Sequence, residues 1–230
     1  MAERNRNRKD NEVLVFDLDD TLYKERDYVR SGRRAVADYV AVRTGEDADS
    51  LFAMLDSFGP TDPRAFDSLL ALPAASAITM AEILDVYRSH MPEISLDSDA
   101  LAALRKLKKE GARIALVTDG SSMRQRLKIA ALGLDEFFTD REIFISEEVG
   151  GDKTTELPFR AVERRFPDAG AFTYIGDNLR KDFRVARRLG WQTVMLSAPE
   201  GVNIFPQDPG SFPADYLPDR TITRLTELTD

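Results

Sequence analysis

The 230-residue chain contains no cysteine and a single histidine, His90. Without thiols there is no disulfide, no thiolate nucleophile and no cysteine-bound zinc. One imidazole, placed at a helix-end signal just before Pro92, all but excludes a histidine metal cluster and a Ser-His-Asp triad. No apolar run approaches the roughly 20 residues needed to span a bilayer. The first ten residues are polar and basic and lack the apolar stretch of a secretory signal, so a cytoplasmic location is expected. The net charge of -8 argues against bulk nucleic-acid binding, although an acidic protein can still build a local positive pocket. Arg4, Arg6, Arg8 and Lys9 accordingly read as a frayed basic end. What remains for chemistry is carboxylates, lysine, hydroxyls and a metal held by oxygen.

What is present is ordinary soluble material, 43% hydrophobic and 31% charged, enough for a core domain with a smaller insertion. Five short apolar runs read as buried strands: Val13 to Asp17, Arg113 to Thr118, Ile143 to Ile145, Phe172 to Gly176 and Gln192 to Leu196. Helical patterns separate them. Leu101, Leu104 and Leu107 form one stripe, Met123, Leu127, Ala130 and Ala131 another, and Phe183, Ala186 and Leu189 a third, each closed by a glycine. The alternation predicts an α/β fold, a Rossmann-like parallel sheet with helices on both faces. Residues 23–96 carry helical patterns and no strand, and read as an inserted helical subdomain between core segments 1–22 and 97–230. Within it, Thr79 followed by Glu82 spells a capping box. Segment 199–218 reads as a long surface loop before a short terminal element at 221–228.

Open parallel sheets place ligand groups past the C-terminal strand ends, so Asp17, Thr118 and Asp177 should share a cleft. Asp17 and Asp19 are two apart in an extended segment and point to the same side. Two such carboxylates coexist if a cation lies between them or one keeps a proton, and Mg2+ is the hard ion that keeps phosphate oxygens in its shell. A carboxylate meeting a phosphate dianion at about 3.5 Å and an effective dielectric near 20 is repelled by on the order of 9 kcal/mol. A bridging magnesium ion offsets most of that. Attack by Asp17 would give an aspartyl-phosphate, and a second carboxyl at Asp19 could protonate the leaving alkoxide and then activate water. Thr118 can donate to a phosphoryl oxygen, the Asp119-Gly120 turn offers backbone N–H groups, and Lys153 supplies positive charge. Gly176-Asp177 through Asp182 adds two acidic groups for the metal.

These residues resemble the four motifs of the haloacid dehalogenase superfamily. Asp17-Leu18-Asp19-Asp20-Thr21 matches its D-x-D-x-T motif, Thr118 the second, Lys153 the basic residue of the third, and Gly176-Asp177 through Asp182 its G-D-x-x-x-x-D. The third motif often reads Lys-Pro, whereas Thr154 and Thr155 follow Lys153 here. The resemblance implies Asp17 as nucleophile and metal ligand, and Asp19 as general acid/base that binds metal through its carbonyl. It implies Asp177 as a metal ligand, Asp182 as support for the metal or Lys153, and the helical insertion as a C1-type cap. The expected activity is magnesium-dependent hydrolysis of a small phosphorylated metabolite such as a sugar phosphate or nucleoside monophosphate. A 2-haloacid dehalogenase, a phosphomutase and a non-catalytic binding module are the alternatives. Oligomeric state is left open between monomer and homodimer. Asp20 reads as a backbone-binding turn residue, Asp177 as a helix N-cap, and Asp182 as lying within that helix. Arg64, in the loop after Phe58, is a candidate for an anionic substrate group, and Arg30, Arg33 and Arg34 a solvated face.

Overall fold

The computed structural model describes residues 11–199, 201–205 and 208–229, so the basic residues Arg4, Arg6, Arg8 and Lys9 lie outside the described residues. The chain divides into two compact units, Met1–Lys24 with Ser95–Asp230, and Glu25–Ile94. The division falls two residues inside the expected segment 23–96 at each end.

The first unit is a six-stranded parallel sheet of β1 (Glu12–Phe16), β2 (Arg113–Thr118), β3 (Ile143–Ile145), β4 (Ala171–Gly176), β5 (Gln192–Leu196) and β6 (Arg220–Ile222). The spatial order is β3-β2-β1-β4-β5-β6, and every pair is parallel. The sixth strand, part of the expected terminal element, adds an edge. A sheet covered on both faces needs strands that are apolar on both sides, and β1 meets this with Val13, Val15 and Phe16 all buried. On one face, Val13, Val15, Ala115 and Val117 join Tyr174, Phe159 and Trp191 in a single core. Phe159 meets Tyr174 and Trp191 edge-on at 5.5 and 5.3 Å between ring centroids.

Helix α5 (Ser98–Lys109) buries Ala100, Ala103, Leu104 and Leu107, the i, i+3, i+4, i+7 face of a packed helix. Leu101, expected on that stripe, is half-buried. Among the described residues no helix is long and apolar enough to cross a membrane.

The second unit is helical: α1 (Glu25–Thr44), α2 (Ala48–Asp56), α3 (Arg64–Leu70) and α4 (Met80–Ser89). Val36, Ala37 and Val40 of α1 pack with Leu51 and Leu55 of α2, Leu69 of α3 and Ile83 of α4. Arg33 departs from the solvated face expected for it. It is buried and donates to the carbonyls of Phe58 (2.9 Å) and Gly59 (2.6 Å), holding the following loop in place. Arg34 meets Asp49 at 2.8 Å and Arg30 meets Asp56 at 3.5 Å. His90 caps the end of α4, its Nδ1 lying 2.8 Å from Tyr87 O.

The capping box at the start of α4 is formed, with Glu82 N–H donating to Thr79 Oγ1 (3.2 Å) and Thr79 N–H to Glu82 Oε2 (2.8 Å). Thr79→Ala removes the first of these bonds and is expected to cost about 1 kcal/mol, read as a lower urea midpoint with the fold unchanged by circular dichroism.

Candidate active site

The strand order reverses direction between β1 and β4, the position at which doubly wound sheets open a crevice for ligands. Asp17 N–H donates to Ile175 O at 2.8 Å, which sets Asp17 beside Gly176-Asp177. Asp17, Asp177 and Asp182 are all buried, and each offers a carboxylate oxygen within 4.8 Å of the others. Lys153 reaches the same point. Its buried Nζ lies 2.8 Å from Asp17 Oδ1 and 2.6 Å from Asp182 Oδ1. Asp182 Oδ2 accepts from Asn178 N–H at 2.8 Å.

Electrostatics shows that the protein alone does not balance this cluster. Burial pushes the Asp17 carboxyl from its ordinary 3.8 up to about 8, against the opposing Lys153 ammonium and with Asp182 and Asp19 adding repulsion. Burial likewise raises Asp177 to about 9, with Asp182, Asp17 and Asp20 adding to it. Burial alone would lower the Lys153 ammonium, but Asp17 and Asp182 hold it well above its usual range. One lysine thus faces three carboxylates. An all-oxygen donor set with a surplus of negative charge suits a hard divalent cation and offers nothing to a soft one.

Asp19 lies on the same loop in a different setting. Lys128 Nζ is 2.6 Å from Asp19 Oδ1, Tyr23 OH donates to the same oxygen, and Gln125 Nε2 donates to Oδ2 at 3.1 Å. Burial would raise this carboxyl, but the Lys128 charge and the three donors hold it below its ordinary value. Gln125 Nε2 also donates to Thr118 Oγ1 at 2.5 Å. That nitrogen fills an acceptor position on Thr118 and leaves the hydroxyl proton free to be donated elsewhere.

Gln125 and Lys128 correct the expected packing of α6 (Ser122–Ala131). The stripe read there was Met123, Leu127, Ala130 and Ala131. The helix instead buries Gln125, Lys128 and Ile129, and leaves Met123 51% exposed. The missed signal is the face Gln125, Lys128, Ile129, Leu132, which has helical spacing and carries two polar residues among the apolar ones.

The other expected residues are placed as follows. Asp119 Oδ1 accepts from Lys153 N–H (3.1 Å) and Oδ2 faces Lys181 Nζ (3.3 Å), so its carboxylate holds the lysine loop. Gly120 N–H donates to Ser146 Oγ at 2.9 Å and is not an open donor. Asp177 and Asp182 both precede the short helix Arg184–Arg188, whose N-cap is Phe183, so neither the N-cap nor the in-helix expectation holds. Asp20 is buried with φ 55 and accepts from the backbone N–H of Ile204 at 2.9 Å, in a loop distant in sequence. The same loop brings Asn203 Nδ2 to 2.9 Å from Asp177 Oδ2. Arg64 lies in the helical unit, 77% exposed, with Asp62 Oδ2 at 2.6 Å from its Nη2.

Carboxylates gathered around one lysine at the switch point of a parallel sheet define an α/β enzyme site. Residues 12–190 match the haloacid dehalogenase-like hydrolases, and the chain belongs to that family. It is 29% identical over 232 residues to the glyceraldehyde 3-phosphate phosphatase of Methanopyrus kandleri, an alignment that covers 95% of each chain. In fold it is similar to the HAD-hydrolase YfnB of Bacillus subtilis, solved bound to magnesium, with a TM-score of 0.63, 22% identity and coverage of 94% and 96%. It is also similar to a 2-haloacid dehalogenase of Pseudomonas syringae, with a TM-score of 0.60, 22% identity and coverage of 95% and 96%.

Gly176 is required by close approach. A Cβ there would lie 2.3 Å from Asp182 Oδ2 and 2.8 Å from its Cγ. Asp182 is fully buried and has no room to retreat. Gly176→Ala is therefore expected to destabilise the protein by about 1–3 kcal/mol, measured by urea denaturation.

Proposed function

We propose that the chain is a magnesium-dependent phosphatase that hydrolyses a small phosphorylated metabolite through an aspartyl-phosphate on Asp17. The observation that carries this reading is the buried cluster of Asp17, Asp177 and Asp182 around Lys153, an all-oxygen donor set beside a carboxylate nucleophile. Family membership and the phosphatase relative support it. The segment 25–94 takes the part of the family's helical cap, and the cytoplasm, where charged phosphate esters are retained, is the place of action.

Asp17 forms the new bond to phosphorus as the ester oxygen departs, and Asp19 gives that oxygen a proton. To do so Asp19 must leave the Lys128 and Tyr23 contacts that hold it ionised here and enter the step as the acid. In the second half, Asp19 takes a proton from water, whose oxygen displaces Asp17 and frees inorganic phosphate. Thr118 donates its hydroxyl proton to a phosphoryl oxygen, since Gln125 already fills an acceptor position on it. Lys153 balances the negative charge that grows beside Asp17. Asp182 holds that ammonium in place, and Asp119 fixes the backbone of its loop. Asp17, Asp177 and the Asp19 carbonyl, with Asp182 behind them, would hold magnesium, which when bound supplies charge neutralisation and polarises the phosphoryl group.

A 2-haloacid dehalogenase shares the fold but needs neither a metal nor a leaving-group acid, so the buried Asp177 beside Asp17 and the second carboxyl at Asp19 would serve nothing. A phosphomutase would leave phosphate on its product.

Phosphate release by the purified protein with magnesium, over a panel of phosphorylated metabolites and 4-nitrophenyl phosphate, tests the reading. Asp17→Asn is expected to abolish turnover. Asp19→Asn should lower kcat by about 10²- to 10⁴-fold, with a larger loss on alkyl than on aryl phosphates. Near-normal release by Asp17→Asn overturns the mechanism. Chelation with EDTA should stop release, and added magnesium should restore it; full activity after exhaustive chelation would remove the metal from the proposal.

A further inference from the structure

We propose that Arg124 sets the specificity of this site by taking a second anionic group of the substrate, a carboxylate or another phosphate, in addition to the phosphoryl group that is hydrolysed. This rests on the phosphatase reading and narrows its substrates to compact molecules with two anionic ends.

Arg124 lies in the first turn of α6, directly after Thr118-Asp119-Gly120. Its guanidinium packs against Gly120, with Nη2 3.2 Å from the point that a Cβ at that residue would occupy. A side chain at position 120 would press on the guanidinium. Among the described residues Arg124 has no hydrogen bond or ion pair, and its Nε is buried without an acceptor.

The nearby carboxylates explain why. Glu147 accepts from Ser122 N–H at 2.8 Å. Glu148 accepts from Ser122 Oγ (2.5 Å) and Arg126 (2.7 Å), and Asp140 pairs with Arg126. Asp119 is occupied by Lys153 N–H and Lys181. Among the described residues these four carboxylates all have other donors, and none is paired with the guanidinium fork of Arg124. A buried donor with no acceptor is costly, and the planar fork matches a carboxylate or phosphate.

The reach is short. Gly120 is two residues beyond Thr118, at most about 7 Å along the chain, so one small molecule can present an anion to each. A substrate with a neutral second end leaves the guanidinium unpaired.

The test compares kcat/KM within pairs: 3-phosphoglycerate against glycerol 3-phosphate for a carboxylate, and ribulose 1,5-bisphosphate against ribulose 5-phosphate for a second phosphate. Wild type should prefer the more anionic member of at least one pair. Arg124→Met should cut that preference by about 10- to 100-fold, mostly through KM, and Arg124→Lys should keep part of it. The ratio is taken within one preparation, so a partly unfolded variant does not distort it. An equal ratio in wild type and Arg124→Met overturns the assignment. If no phosphate is released from any compound, the phosphatase reading fails. Calorimetric binding of the same pairs to Asp17→Asn, with and without Arg124→Met, then decides the role of Arg124 by the same ratio.

Discussion

The Lys153 ammonium between Asp17 and Asp182 is the contact on which the site depends. Three carboxylates that are out of water and within 4.8 Å of one another repel strongly, and burial removes the solvent that would screen them. One lysine lessens the repulsion without ending it, and the raised carboxyls of Asp17 and Asp177 express what remains. Carboxyls raised in this way keep protons near neutral pH until a cation takes the place of those protons. The charge on Lys153 is in turn supported by those carboxylates, because burial alone would lower it.

The sheet makes this crowding possible. With β1 and β4 adjacent, Asp17 and Gly176-Asp177 leave the same edge side by side, as the Asp17 N–H to Ile175 O bond shows. Gly176 then lets the Asp182 carboxylate fold back over the strand end, where a single methyl group would displace it. Asp119, one residue beyond β2, fixes the lysine loop by a bond to Lys153 N–H. Backbone geometry therefore sets the distances between charges, and the flexible lysine side chain adjusts to them.

The strands were readable in the sequence because a parallel sheet is apolar on both faces, so Val13 to Phe16 or Arg113 to Thr118 stands out as a run. The carboxylates were readable because aspartates directly after such runs have no reason of strand propensity to be there. Other parts were hidden for a physical reason. Asp182 was read as helical because Phe183, Ala186 and Leu189 have helical spacing, yet the turn beginning at Asn178 delays the helix to Arg184. Gln125 and Lys128 were hidden because amphipathic patterns count apolar residues, whereas this helix turns a polar pair inward to meet Asp19 and Thr118. Arg33 was hidden for the same reason, since its acceptors are the carbonyls of a loop more than twenty positions away.

The likeness to solved folds reaches both a magnesium-bound hydrolase and a haloacid dehalogenase, so the fold does not choose between ester and halide chemistry. The choice rests on groups that one chemistry needs and the other does not. Halide leaves as a stable anion, and an acid aimed at it gains nothing. An alkoxide leaves poorly without a proton, and a carboxyl that must deliver one has to be held in place. Asp19 is held by a lysine, a tyrosine and a glutamine, two of which come from the buried face of α6. Turning Gln125 and Lys128 inward gives up apolar packing on that face, and with Tyr23 they keep Asp19 ionised, the form that accepts a proton from water in the second half of the proposed reaction. The same helix presents Arg124 at its first turn beside Gly120. A single helix thus carries both the groups that orient the proposed acid and the cation proposed to select the substrate, so changes to its register would alter chemistry and specificity together.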